Sequence, residues 1–293
     1  MPLMKKASGS LMLLLTSLIW GTAFVAQRTG MDHVGPFTFQ TARGLLGALS
    51  LLPVILWQKK KQGAAFASPS FKACLMCGLV LTLASTTQQI GLVTTSASKA
   101  GFIGSLYVVF VPLLSLALGR RAPRKIWLSV LLTVIGMICI SGVTPGQMHM
   151  QPGDIWLLVS AVFYAVHILV VAHYAPAVNG AALSLAQFLV MGICTLIPAL
   201  ILEKPELSGI LDAKWGILYT GILSSGVGYT LQIIGQMRVH SAVASLIMSL
   251  ESVFALLSGM LLLGERLNRG EWIGCALVLC AVLLSQLPEK RNE

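Results

Sequence analysis

About ten apolar stretches follow one another along this chain of 293 residues, with only a few residues between them. A helix needs roughly 17–25 predominantly apolar residues to cross a bilayer. The stretches lie near residues 9–27, 35–57, 71–92, 98–118, 125–142, 154–173, 181–201, 214–236, 241–263 and 270–287. With 56% hydrophobic and 10% charged residues, the composition excludes a soluble globular fold. We therefore predict an all-α integral membrane protein with ten transmembrane helices.

An internal repeat with a spacing of about 145 residues is the second constraint. Residues 51–132 are echoed later in the chain, and rare punctuating residues recur at matched helix ends. These pairs are Gly47 and Gly192, Pro53 and Pro198, Gly119 and Gly264, Arg121 and Arg266, Arg124 and Arg269, and Trp127 and Trp272. The pattern predicts two five-helix repeats, residues 1–145 and 146–293. Because five is odd, the second repeat is inverted, as in transporters that alternate access around a midplane site.

The charges indicate how the chain is oriented in a plasma (inner) membrane. The formal net charge is +10, and the cations lie at the ends of the apolar stretches. In the first half they fall on one side, including Lys5, Lys6 and residues 59–61, and only Arg28 and Lys99 fall on the other. In the second half this bias nearly vanishes. The positive-inside rule then predicts a multi-pass protein with cytoplasmic amino and carboxyl termini. The cations form no aromatic-interleaved patch, so no nucleic-acid partner is predicted.

Glu251 is the only acidic residue deep inside an apolar stretch, about 15 Å along the ninth helix. A charge at that depth costs roughly 2.5–3.5 kcal/mol, so it should face the bundle interior and have a partner. Arg43, about 12 Å into the second stretch, is the candidate partner. One interpretation is a substrate-ammonium or proton site at Glu251 with a carboxylate-binding Arg43. The alternative is a structural ion pair between two helices.

Seven further polar or aromatic residues lie within the apolar stretches. They are Trp20, Gln88, Tyr107, Tyr164, His167, Gln187 and Gln232. Each alone is compatible with a hydrogen bond between helices, and His167 with a satisfied core histidine. Together they predict a polar and aromatic cavity that binds a small-molecule substrate, because scattering them towards lipid would be costly.

Small residues at four-residue spacing mark the fourth and ninth stretches and let membrane helices approach closely. The triplets are Ala97, Gly101 and Ser105, and Ser241, Ser245 and Ser249. They match at a spacing of 144 rather than 145, which leaves the equivalence of Tyr107 and Glu251 open by one residue. Rocking of equivalent helices and plain tight packing explain the pattern equally well.

No catalytic or metal-binding pattern is present in the sequence. Cys74 and Cys77 form a CxxC, but there is no second pair and no histidine at ligand spacing nearby. We interpret them as small packing residues. Glu251 lacks the second carboxylate that acid–base hydrolysis would need. We predict that the chain is not an enzyme and that it binds neither a metal nor a cofactor.

Several motifs carry a family resemblance. Residues 17–21 read SLIWG, residues 37–44 include Arg43, residues 250–254 read LESVF and residues 263–267 read LGERL. These motifs resemble the EamA family of the drug/metabolite transporter superfamily over essentially the whole chain. The resemblance implies two inverted five-helix repeats and transport of small metabolites, often amino acids and frequently outward. It also implies a central cavity lined by Trp20, Tyr107, Tyr164 and Glu251.

The chain departs from the family pattern at two places. Ser252 follows Glu251 where the family often has proline, so no proline kinks the ninth stretch there. The first half has Gly119-Arg120-Arg121 where Gly-Glu-Arg is usual.

Three functional hypotheses follow from the sequence. The leading one is a secondary transporter of a small polar or zwitterionic metabolite in the plasma membrane, with proton coupling through Glu251 as one form. The second is a lipid or lipid-carrier translocase, for which Arg28 and Arg43 are the candidate headgroup-binding cations. The third and weakest is a structural membrane subunit, which would not need Glu251 or Arg43 in the interior.

Overall fold

The structure is a computed structural model that describes residues 2–95, 97–120, 122–140, 151–263 and 268–287. The predicted boundary near residue 145, the motif residues 264–267 and Arg121 lie outside this part of the chain. Within it, every regular element is helical, which confirms the predicted all-helical fold.

Nine helical segments in the described residues are long and apolar enough to cross a membrane. They are Met4–Gly30, Pro36–Ala65, Phe71–Thr94, Lys99–Ala117, Pro152–Ala177, Gly180–Glu203, Lys214–Gln236, Ser241–Leu261 and Arg269–Gln286. A further helix, Arg124–Ile140, has 17 residues. The protein is therefore an integral membrane protein, while the count of ten spanning helices stays a prediction.

The helices are numbered in chain order. They are α1 (Pro2–Gly30), α2 (Pro36–Gln62), α3 (Phe71–Thr94), α4 (Ala97–Gly104), α5 (Tyr107–Ala117), α6 (Arg124–Ile140), α7 (Pro152–Tyr174), α8 (Gly180–Pro198), α9 (Leu207–Asp212), α10 (Lys214–Leu218), α11 (Tyr229–Gln236), α12 (Ser241–Met248), α13 (Glu251–Leu263) and α14 (Arg269–Gln286). Two π-helical segments, Ala199–Glu203 and Tyr219–Gly228, extend α8 and join α10 to α11.

The fourth and ninth apolar stretches are each interrupted by a tightened turn. α4 ends at Gly104 and α5 begins at Tyr107, while α12 ends at Met248 and α13 begins at Glu251. At both turns the backbone bonds shorten from the α-helical to the 3₁₀ pattern, as in Leu106 N–H to the Ile103 carbonyl at 3.1 Å. No proline lies at either turn, in agreement with the sequence.

The two interruptions lie 144 residues apart, at residues 105–106 and 249–250. At the same spacing Tyr107 opens α5 where Glu251 opens α13. The spacing of 144 residues is also that of the two small-residue triplets in the sequence.

The packing around α1 and the packing around α7 are similar. α3 packs along α7, and α10 and α11 pack along α1; α4 and α5 contact α7, and α12 and α13 contact α1. α2 packs against α8 and α6 against α14. Between α6 and α14 the backbones meet at Gly136 and Gly274, where an added Cβ would collide with the opposing carbonyl oxygen.

Contacts between α2 and α8 tie their ends together. The N-cap of α2 is Gly35, which has no side chain to cap the helix. Glu203 supplies the cap instead: its carboxylate accepts from the N–H groups of Phe37 and Thr38 at 2.9 and 2.7 Å. A carboxylate at a helix N-terminus satisfies orphan donors and complements the helix dipole.

Glu203→Ala should lower the stability of the protein by about 1–2 kcal/mol, because it removes the α2 cap. Thermal unfolding in detergent would measure this. The matched control is Glu206→Ala, since Glu206 is an exposed acidic residue on the same connection. An equal loss in both variants would contradict the capping role.

Candidate functional site

A central cavity lies beside the interruptions of the fourth and ninth stretches. The cavity volume is about 20 Å³, which is space for about one water molecule. Its walls come from seven of the apolar stretches. The lining residues are Trp20, Ala23, Phe24, Gln27, Arg43, Gln88, Tyr107, Tyr164, Ser224, Tyr229 and Glu251.

Four aromatic rings form one wall of the cavity. Trp20 and Tyr229 have ring centroids 4.5 Å apart, and Tyr107 and Tyr164 meet edge to face at 6.5 Å. The Tyr229 hydroxyl donates to the Tyr164 hydroxyl at 3.3 Å, which donates in turn to Oε1 of Gln88 at 3.2 Å. Each hydroxyl therefore has a fixed direction within the wall.

Glu251 faces the cavity from the first turn of α13, and its side chain is 4% exposed. The Ser105 hydroxyl, from the turn between α4 and α5, donates to Oε1 of Glu251 at 3.0 Å. The Tyr107 hydroxyl faces the same carboxyl group. The two interrupted helices thus meet at this carboxyl group.

Gly21 sets how closely α1 approaches Glu251. A Cβ at Gly21 would lie 2.7 Å from the Glu251 carbonyl oxygen and 2.8 Å from the backbone nitrogen of Ala255. Glycine therefore lets α1 pack directly on the first turn of α13, which places the neighbouring Trp20 in the cavity wall beside the carboxyl group. This gives a physical reason for glycine in the SLIWG motif.

Arg43 lines the same cavity from α2 and is 2% exposed. Its Nη1 donates to Oε1 of Gln27 at 2.8 Å, and its Nε donates to the Ser225 hydroxyl at 3.4 Å. Both partners are neutral, so the guanidinium charge is hydrogen-bonded but not neutralised by them.

The hypothesis of a structural ion pair between Arg43 and Glu251 is wrong. Salt bridges among the described residues join Arg28 to Asp32 and Lys99 to Asp154, and none joins Arg43 to Glu251 within 4.0 Å. Sequence depth alone placed the two charges at similar levels. The direction of each head group is decided by its local partners, which depend on the packing. These partners are Gln27 and Ser225 for Arg43, and Ser105 for Glu251.

Six of the nine residues selected from the sequence line the cavity, namely Trp20, Arg43, Gln88, Tyr107, Tyr164 and Glu251. His167, Gln187 and Gln232 do not line it. His167 and Gln187 are fully buried and joined by a 3.0 Å hydrogen bond between Nε2 and Oε1, and Gln232 is buried nearby on α11. For His167 and Gln187 the structure shows the simpler of the two interpretations, a hydrogen bond between helices.

Gln27, Ser224 and Tyr229 line the cavity but were not among the nine selected residues. Gln27 was available from the sequence, because it shares a helical face with Trp20. Tyr229 lies one turn before Gln232 on α11, but Gln232 does not line the cavity, so this spacing gave no signal for Tyr229. Ser224 carries no such signal, since it lies in the π-helical segment and its facing depends on the wider turn.

A model of the EamA-like transporter family matches residues 7–142 and again residues 151–287. The chain belongs to the EamA-like transporter family. It is therefore a membrane transporter, and the relatives that it matches are also named transporters. An uncharacterized transporter of Archaeoglobus fulgidus is 30% identical over 284 residues, which cover 97% of this chain and 87% of that protein.

Two further comparisons agree with this assignment. The uncharacterized inner membrane transporter YedA of Escherichia coli K12 is 25% identical over 283 residues, covering 92% of this chain and 88% of YedA. A solved crystal structure is similar with a TM-score of 0.80 and 16% identity, over 96% of each chain. At that identity it supports the fold alone.

Gly21→Val should abolish the site by pushing α1 away from α13, with a loss of about 1–3 kcal/mol of stability from overpacking. Gly104→Ala is the control, because a Cβ there makes only an ordinary contact, 3.5 Å from Nε2 of Gln88. Transport in proteoliposomes and thermal unfolding would be compared. Normal transport by Gly21→Val would show that this approach does not set the cavity.

Proposed function

We propose that this transporter carries a small zwitterionic metabolite, such as an amino acid, by alternating access around the central cavity. The observation that supports it is a buried carboxylate and a buried guanidinium in one cavity without an ion pair between them. A zwitterion offers an ammonium group to Glu251 and a carboxylate to Arg43. Arginine binds carboxylates through paired N–H groups in a planar fork.

The energetic argument rests on the cost of buried charge. A buried charge without an opposite partner is expensive, and removal of one partner from a buried pair typically costs about 3–5 kcal/mol. Glu251 receives a hydrogen bond from Ser105, and the Nε1 of Trp20 has no hydrogen-bond partner in the described residues. The cargo completes these interactions.

Proton coupling follows from the same cost. When the cavity holds no cargo, binding a proton to the Glu251 carboxylate costs less free energy than keeping its bare charge inside the membrane. Cargo ammonium and proton would then occupy the carboxylate in turn, so that export of one accompanies entry of the other.

Alternating access requires two equivalent units. We infer that residues 1–145 and 146–293 form inverted five-helix repeats of a ten-helix bundle. Support comes from the similar packing around α1 and α7, the two interruptions 144 residues apart and the family model that matches twice. Rocking of the two units would expose the cavity to either side. The name of YedA, an inner membrane transporter, supports an inner membrane location. The proposed outward direction rests on the family resemblance alone.

The lipid translocase alternative gains no support from the two arginines that it needs. Arg28 forms an exposed ion pair with Asp32 at 3.0 Å, and Arg43 is enclosed between helices rather than turned to lipid. A lipid headgroup would have to enter the bundle to reach Arg43.

Glu251→Gln should abolish or decouple transport in proteoliposomes while the folded protein stays extractable. The amide keeps the size of the side chain but can neither pair with ammonium nor release a proton. Glu206→Gln, the same change at an exposed site, should transport normally. If Glu251→Gln transports like the original protein at every pH tested, the proposed role of Glu251 is lost.

Arg43→Gln should weaken binding of amino acids roughly 10- to 100-fold, because a charge-assisted pair is worth about 1.5–3 kcal/mol. Amines that match the amino acids but lack the carboxylate should bind both proteins equally. Thermal stabilisation in detergent by the two ligand series would measure this, with Arg28→Gln as the control. Equal losses for both series would contradict a carboxylate site at Arg43.

A further inference from the structure

A second cleft lies far from the central cavity, where α1, α6, α12 and α14 come together. Its volume is about 340 Å³. Its lining residues are Lys6, Pro123, Lys125, Ile126, Arg238, Val239, His240, Val243 and Ser285. In the predicted topology this is the cytoplasmic end of the bundle.

The cleft is cationic. Lys6, Lys125 and Arg238 come from three separate elements, and none of the described residues that line the cleft is acidic. Each cation makes one hydrogen bond: Lys6 to the Gln286 carbonyl at 3.4 Å, Lys125 to the Leu287 carbonyl at 2.6 Å, and Arg238 to the Ser8 hydroxyl at 2.5 Å. An ammonium has three donors and a guanidinium five, so these bonds hold the side chains in place without exhausting their donors.

His240 adds a directed donor. Its Nδ1 accepts from the N–H of Ala242 at 3.4 Å and so caps α12. An accepting Nδ1 carries no proton, and the proton of the neutral ring is therefore on Nε2. His240 thus combines a cap for the helix with a donor on the other side of the ring.

The floor of the cleft is apolar. Ile126 and Val243 are buried, and Val239 and Pro123 are partly buried beside them. A free anion would use the cations and leave this floor uncovered. An amphipathic anion would use both, with its head group on the cations and a hydrocarbon chain on the floor.

We propose that this cleft binds an anionic phospholipid, with the phosphate on Lys6, Lys125 and Arg238 and an acyl chain on Ile126, Val239 and Val243. Basic pockets between helices at the cytoplasmic side suit such head groups. The lipid bridges α1, α6 and the connection before α12, the helix that leads to Glu251. Its occupancy therefore stabilises the packing of these ends.

Native mass spectrometry and thermal unfolding test the site, with phosphatidylglycerol and with phosphatidylcholine of the same acyl chains. Phosphatidylglycerol should bind preferentially and raise the unfolding temperature. Lys125→Gln and Arg238→Gln should each weaken its binding about tenfold, as expected for loss of one charge-assisted contact. Lys125→Arg should retain binding, which separates the charge requirement from any folding defect.

Lys60→Gln is the matched control, because it removes the same charge from an exposed site on α2. If it weakens binding as much as Lys125→Gln does, general surface attraction explains the effect and the cleft is not the site. If inorganic phosphate stabilises the protein as well as phosphatidylglycerol does, the lipid assignment is overturned. Both measurements are independent of transport, so they stand or fall separately from the proposed cargo.

Discussion

Burial of the Glu251 carboxyl group inside an apolar bundle is the constraint around which the centre of the molecule is built. The group opens α13 directly after a tightened turn, and the equivalent turn before α5 supplies Ser105 as its hydrogen-bond donor. Gly21 lets α1 pack on the same turn. Since hydrocarbon offers no hydrogen bonds, every one of these contacts must come from the protein or from its cargo.

The scaffold is similar around α1 and α7, whereas the chemistry of the cavity is not. The packing of α3 against α7 has its counterpart in the packing of α10 and α11 against α1. The two interrupted stretches turn at residues that lie 144 positions apart in the chain. At these turns one unit presents Tyr107 and the other presents Glu251. In the repeats that we propose, the frame moves as two similar halves, while Arg43 in the first and Glu251 in the second give the cavity its charge. We infer that motion is shared and cargo selection is local.

Sequence patterns predicted the helices well, because length and hydropathy alone decide whether a segment can cross a bilayer. They also predicted six cavity residues, since buried polar groups in a membrane bundle must cluster. They failed for His167 and Gln187, which form a hydrogen bond with each other between α7 and α8. They also missed Ser224, whose direction follows from a π-helical segment that glycine-rich sequence alone does not specify.

The sequence by itself determined that this protein is a helical membrane bundle with a repeated pattern and one deep carboxylate. These features depend on composition and spacing along a single helix. Only the tertiary structure decided that Arg43 donates hydrogen bonds to Gln27 and Ser225 and forms no ion pair with Glu251. The reason is that depth along a helix axis fixes only one of the three coordinates of a charged group. An ion pair requires a distance of about 4 Å or less between the two charged groups, and that distance depends on all three coordinates. Helix rotation and close glycine contacts set the other two.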